Sequence, residues 1–191
     1  MNQQPPVRFQ GVRYVFLDRD GVINRKPPED QTISRWEDFE ILPGVEEAIS
    51  RLNSSGFKVI VVTNQRAIAR GRYSEEDLAR LHARLGEHLA AHGAEIDRIY
   101  YCPHDEGTCD CRKPGPGMFV QAFRDFPGAA ADNSVMIGDS LSDIEAGAAL
   151  GMKTIFIQGD PRFQKPGAAC AAAQASGVSA SLLEGVLTYL I

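Results

Sequence analysis

Four short clusters in this chain of 191 residues carry side chains that can do chemistry. The first is Asp18-Arg19-Asp20-Gly21, two carboxylates two residues apart on a glycine-containing turn. A carboxylate placed like Asp18 can attack a phosphoryl phosphorus, and one placed like Asp20 can protonate the leaving oxygen and then deprotonate a water. The second is Gly138-Asp139 with Asp143. Magnesium takes oxygen ligands, keeps several waters and needs few carboxylates, so Asp18 and Asp139 suit it, with the Asp20 carbonyl as a further ligand. Asp143, one turn into a helix, is assigned a supporting role, since an acidic residue there also complements the helix dipole. The third is Thr63-Asn64, a hydroxyl and neighbouring donors able to hold phosphate oxygens. The fourth is Arg112-Lys113, a source of fixed positive charge to balance the carboxylates and the transferring group. Taken alone, each cluster also reads as ordinary turn or surface chemistry. Together they point to phosphoryl transfer.

A fifth cluster is of another kind. Cys102-x-His104 and Cys109-x-Cys111 place three thiols and one imidazole within ten residues. That is the ligand set of a closed structural zinc site, which orders a loop (102–111) and leaves no open position for catalysis. Such a loop would pin Arg112 and Lys113. Cys170 reads as a small apolar residue, and His82, His88 and His92, all on one helical stretch, read as solvated rather than as ligands. Trp36 and Phe39 are expected to pack under a loop that shapes a pocket.

These residues need elements to hold them. Short apolar runs predict buried strands at 13–17, 57–62, 98–101, 134–137 and 153–157. Helical spacing predicts helices over 43–55, from Ser74 onward through Leu78, Leu81, Leu85 and Leu89, over 117–126, over 143–150 and over 182–190. The alanine-rich stretch 167–177 reads as helix or loop. Strands alternating with helices imply an α/β fold of three layers around a mostly parallel sheet, and in such sheets ligands bind beyond the carboxyl ends of the strands. Asp18 and Asp20, Thr63 and Asn64, and Asp139 all stand there, delivered by three different strands.

Composition sets the frame. With 43% hydrophobic and 24% charged residues, the chain is expected to form one globular domain over 1–191, with 1–10 as a loose leader. A formal charge of −5 argues against nucleic acid or an anionic membrane as the main partner. No apolar run approaches membrane-spanning length, and the first ten residues lack a secretory signal's apolar middle. A cytoplasmic monomer acting on a small phosphorylated molecule is the expectation.

The runs VFLDRDGVIN, VVTNQ, CDCRKPGPGM and MIGDSLSDIEAG, in this order, resemble the haloacid dehalogenase superfamily of phosphatases over roughly Tyr14 to Ile157. Within it, the Cys102-Pro103-His104 loop and the CRKPxPGM stretch resemble the branch acting on heptose bisphosphates. The resemblance implies a Rossmann-like core with a minimal cap, Asp18 as nucleophile and Asp20 as acid and base. It implies magnesium on Asp18, Asp20 and Asp139, and zinc on Cys102, His104, Cys109 and Cys111. It also implies Thr63 and Lys113 on the transferring phosphate, with Asn64 and Arg112 contacting phosphate or a small sugar phosphate substrate. Three features depart from the branch: Arg66-Ala67 replaces a common Ser-Gly pair, Thr32-Ile33 an aromatic-valine pair, and the loop between His104 and Cys109 is of the short kind. The alternatives are a histidinol-phosphate phosphatase with the same core and loop, and a zinc-stabilised binding module without turnover.

Overall fold

In a computed structural model, residues 7–28, 31–164 and 166–191 are described. The apolar runs become a six-stranded sheet, β1 (Tyr14–Leu17), β2 (Lys58–Asn64), β3 (Arg98–Cys102), β4 (Ser134–Gly138), β5 (Lys153–Ile157) and β6 (Gly177–Ser179). The spatial order is β3-β2-β1-β4-β5-β6, and every pairing is parallel. Strands covered on both faces need no polar alternation, which is why Val15, Phe16 and Leu17, or Val59 to Val62, run as unbroken apolar stretches.

Six helices cover the sheet: α1 (Val45–Ser54), α2 (Glu75–Ala91), α3 (Gly117–Asp125), α4 (Leu141–Ala149), α5 (Ala168–Gln174) and α6 (Leu182–Tyr189). On one face, Ile49 and Leu52 of α1, Leu81, Leu85 and Leu89 of α2, and Val186 of α6 pack on Val15, Leu17, Val59 and Ile137. On the other, Phe119 and Ala122 of α3 and Ala146 of α4 meet Phe16, Ile60, Val62 and Met136. The result is the expected three-layer sandwich.

Two differences have local causes. Helix α4 begins at Leu141 rather than 143, because Ser140 and Asp143 form a reciprocal capping box. Strand β6, absent from the sequence reading, is Gly-Val-Ser, too short for an apolar run and paired only along β5. Of the expected leader, residues 1–6 lie outside the described residues, while the Phe9 ring stacks on Tyr189 at 5.2 Å. Among the described residues, no helix is long and apolar enough to cross a membrane.

The chain steps from β1 out through β2 to β3, then crosses back so that β4 lies on the other side of β1. The crevice at such a reversal, above the carboxyl ends of β1 and β4, is where open parallel sheets bind ligands. Asp18 leaves β1 there and Asp139 leaves β4.

Candidate active site

The Asp18 backbone N–H donates to the Ile137 carbonyl at 2.9 Å, locking the end of β1 to β4. Carboxylate oxygens of Asp18, Asp139 and Asp143 then lie within 4.8 Å of one another. Two glycines allow this crowding. A Cβ at Gly138 would collide with Asp143, and one at Gly21, whose φ is 97°, would collide with the Asp139 carboxylate. Lys113 enters from the segment after the cysteine loop. Its buried Nζ stands 3.0 Å from Asp18 and 2.7 Å from Asp143, and donates to the Val62 carbonyl at 2.6 Å. Asn64 positions that segment, because its amide and the Lys113 backbone exchange hydrogen bonds of 3.1 and 3.0 Å.

Burial pushes the Asp18 carboxyl above its ordinary range despite Lys113, and pushes Asp139 up to about 6 despite Lys26, whose Nζ contacts Asp139 Oδ2. Asp139 Oδ1 is buried without a hydrogen-bond partner among the described residues. An all-oxygen donor set, crowded carboxylates that resist ionising together and an orphaned carboxylate oxygen fit a hard divalent cation.

Asp20 lives differently. Burial acts to raise it, but the Arg19 guanidinium, Asn24 and Gln65 outweigh burial and hold its carboxyl below the usual range. Arg19 Nη2 donates to both Asp20 oxygens at 2.9 and 3.0 Å, Asn24 Nδ2 at 2.9 Å and Gln65 Nε2 at 3.0 Å. Behind them, the Tyr73 hydroxyl donates to Gln65 Oε1 at 2.5 Å, and Arg19 Nη1 to His82 Nε2 at 3.2 Å. His82 is therefore not the solvated residue expected. It faces inward from α2, and burial together with Arg19 holds its pKa down to about 3, keeping it neutral. Arg19, Gln65, Tyr73 and His82 were missed by the sequence reading. Only the arginine between the two aspartates offered a signal. Thr63 is buried, its hydroxyl accepting from Gln65 at 2.9 Å, and Arg112 Nη1 is buried with no hydrogen-bond partner among the described residues.

The Cys102, His104, Cys109 and Cys111 ligand atoms also converge within 4.8 Å. The Cys111–Cys102 and Cys111–Cys109 sulfurs are 3.0 and 3.3 Å apart, and His104 Nδ1 lies 3.2 Å from Cys111 Sγ. Burial pushes Cys102 up, and burial together with the neighbouring thiols pushes Cys111 up, so sharing a proton-free state needs a cation between them. Three thiols and an imidazole suit zinc, with four ligands and no open position.

Beside Asp20, a cavity of about 390 Å³ is lined by Arg19, Lys26, Arg66, Arg70, Arg72 and Arg162, with Asp20 as the lone carboxylate among the described lining residues. Arg70 and Arg162 also pair with Asp105 and Asp160 outside the lining. Thr32, Ile33, Arg66 and Ala67 all line this cavity, so the two substituted pairs noted in the sequence fall on its wall.

A model of the haloacid dehalogenase-like hydrolases matches residues 7–151. The chain belongs to the haloacid dehalogenase-like hydrolase family. Among curated relatives of this hydrolase, the D-glycero-beta-D-manno-heptose-1,7-bisphosphate 7-phosphatase of Vibrio cholerae is 44% identical over 148 residues, covering 73% of this chain and 77% of its own. The D-glycero-alpha-D-manno-heptose-1,7-bisphosphate 7-phosphatase of Mycobacterium bovis is 41% identical over 132 residues, covering 69% of each. Among solved structures, the D,D-heptose 1,7-bisphosphate phosphatase of B. bronchiseptica, complexed with magnesium and phosphate, superposes with a TM-score of 0.77 at 30% identity, covering 91% of this chain and 95% of its own.

Proposed function

We propose that this hydrolase removes the 7-phosphate of D-glycero-D-manno-heptose 1,7-bisphosphate, through a phosphoryl group carried transiently on Asp18. The observation that carries the substrate reading is the cavity beside Asp20. An acid that protonates the leaving oxygen faces the leaving group, so the space next to Asp20 is where the rest of the substrate sits. A neutral sugar alcohol does not need a wall of cations. A leaving group bearing its own phosphate does. The names of the relatives agree with that inference.

In the proposed reaction an Asp18 oxygen forms the bond to phosphorus as the bond to the sugar oxygen breaks, and Asp20 delivers a proton to that oxygen. Asp20 then takes a proton from a water that attacks phosphorus, which returns Asp18 and releases phosphate. Thr63, Lys113, Asn64 and Arg112 hold the phosphate oxygens, and the partnerless Arg112 Nη1 is a ready donor. Asp18, the Asp20 carbonyl and Asp139 would hold magnesium, with Asp143 supporting through Lys113. The ion supplies neutralisation of carboxylate and phosphate charge. Zinc on Cys102, His104, Cys109 and Cys111 would fix the segment carrying Arg112 and Lys113. A reducing, cytoplasmic compartment suits that role, since it keeps the thiols free for an ion.

The test is phosphate release, with magnesium, from both anomers of the bisphosphate, from a hexose 6-phosphate and from histidinol phosphate. The expected result is the highest kcat/KM for one bisphosphate anomer. Equal or better turnover of histidinol phosphate or the monophosphate would overturn the substrate assignment, and no turnover of any ester would overturn the enzymatic one.

A further inference from the structure

On the side of the molecule away from the cysteine loop, α1 and α2 present a cluster that the proposed reaction does not use. His88 and His92 are four residues apart at the end of α2, so they share one face, and their rings stack at 4.4 Å. Glu46 stands in the first turn of α1, with Oε1 3.0 Å from His88 Nε2. One ring nitrogen from each histidine and one Glu46 oxygen lie within 4.8 Å of one another. We propose that Glu46, His88 and His92 form a second metal site, taking zinc or a neighbouring first-row divalent cation.

The geometry is prepared in two ways. His92 Nδ1 lies 2.8 Å from the His88 backbone carbonyl. A ring that donates Nδ1–H to a carbonyl carries its lone pair on Nε2, the arrangement that orients metal-binding histidines. The His88 ring is walled by Trp36 at 5.6 Å, itself stacked on Phe39 at 5.4 Å, so packing rather than solvent sets its direction. Solvated histidines need neither feature. Two imidazoles and a carboxylate discriminate by chemistry as well. Magnesium and calcium prefer all-oxygen shells, whereas imidazole suits zinc, copper and nickel. Three protein ligands leave the fourth position of a tetrahedral ion to water.

The site also has a structural consequence. Glu46 and His88 are 42 residues apart in sequence and sit on different helices of one face of the sheet. An ion held between them ties α1 to α2 only in the native state, so it raises the thermal midpoint as its concentration rises.

The test uses the full, untagged chain with its cysteine loop loaded with zinc and with excess magnesium present. Calorimetric titration with zinc is expected to show one further saturable equivalent. The exposed His92→Gln change should weaken that equivalent by roughly tenfold or more, and the His88→Gln/His92→Gln pair should abolish it. Added zinc should raise the thermal midpoint of the wild type and leave that of the pair unchanged. No equivalent beyond the loop in the wild type, or a further equivalent that persists in the double variant, overturns the proposal. Phosphatase turnover enters neither readout, so the outcome stands apart from the substrate assignment.

Discussion

His82 makes the support of Asp20 measurable through stability. In the folded chain its pKa is held down to about 3, because it is half-buried against the Arg19 guanidinium, 3.2 Å away. In an unfolded chain a histidine titrates near 6.5. Its folded value is the lower one, so below about pH 6.5 the unfolded state binds a proton that the folded state does not. The stability His82 supports is complete above that pH and drains as pH falls, by about 1.4 kcal/mol at pH 5.5 and about 2 kcal/mol at pH 5.0. Any folded value well below 5 gives the same loss over this window. His82→Gln keeps an acceptor for Arg19 and removes the titration. Urea unfolding at pH 7.5 and 5.5, run on both proteins at fixed magnesium, isolates the term, since the other histidines are common to both. The wild type is expected to lose about 1.4 kcal/mol more than the variant. Parallel losses would show that His82 protonates freely in the fold and does not buttress Arg19.

Three other perturbations separate the roles proposed above. Asp18→Asn should cut kcat by more than about 10⁴-fold with an unchanged unfolding midpoint, because burial already raises the cost of a charge there; normal turnover would remove Asp18 as nucleophile. Cys109→Ser should lower zinc content and thermal stability together, and a full zinc equivalent by elemental analysis would break the proposed ligand set. Lys26→Met removes an ammonium that contacts Asp139 Oδ2, so magnesium should bind the substrate-free protein roughly three- to tenfold tighter by calorimetry. Weaker binding would mean that Lys26 supports the carboxylate for the ion.

The sheet was legible because its strands are buried on both faces and therefore stand out as apolar runs, and the acidic residues were legible because they follow those runs directly. Asp18 after Leu17 and Asp139 after Gly138 need only the rule that parallel sheets bind ligands at their carboxyl ends. The cysteine–histidine cluster was legible because its four side chains are local in sequence. What escaped depends on contacts between distant segments. Arg19 meets His82 across 63 residues, and Asp20 meets Gln65 across 45. The period of α2 marks Leu81 and Leu85 as inward, but nothing in it says that His82, one step round the helix, faces a buried guanidinium. The cationic cavity is equally silent in sequence, since Lys26, Arg66 and Arg72 lie in irregular segments, Arg162 sits in a single short 3₁₀ turn, and they converge only in the fold.

The two aspartates of the DRD turn show why spacing alone underdetermines a mechanism. They are two residues apart, yet Asp18 is pushed up and Asp20 down. The cause is what each meets as the chain leaves β1: burial, then the charge of Asp143, push Asp18 up against Lys113, while Arg19, Asn24 and Gln65 hold Asp20 down against its own burial. A depressed Asp20 is the base that the second proposed step requires, but the first step requires an acid. On the proposed reading, the arriving substrate would resolve the conflict. A phosphate dianion set beside Asp20 would oppose its charge and compete for Arg19, the cation that holds Asp20 down, so occupancy would raise the carboxyl toward protonation. Loss of the uncharged sugar and of the second phosphate after the first step reverses that push. Asp20 is then returned to the state in which it takes a proton from water. On this account the cationic wall does more than bind the leaving group: it couples the group's presence to the protonation state that its departure needs.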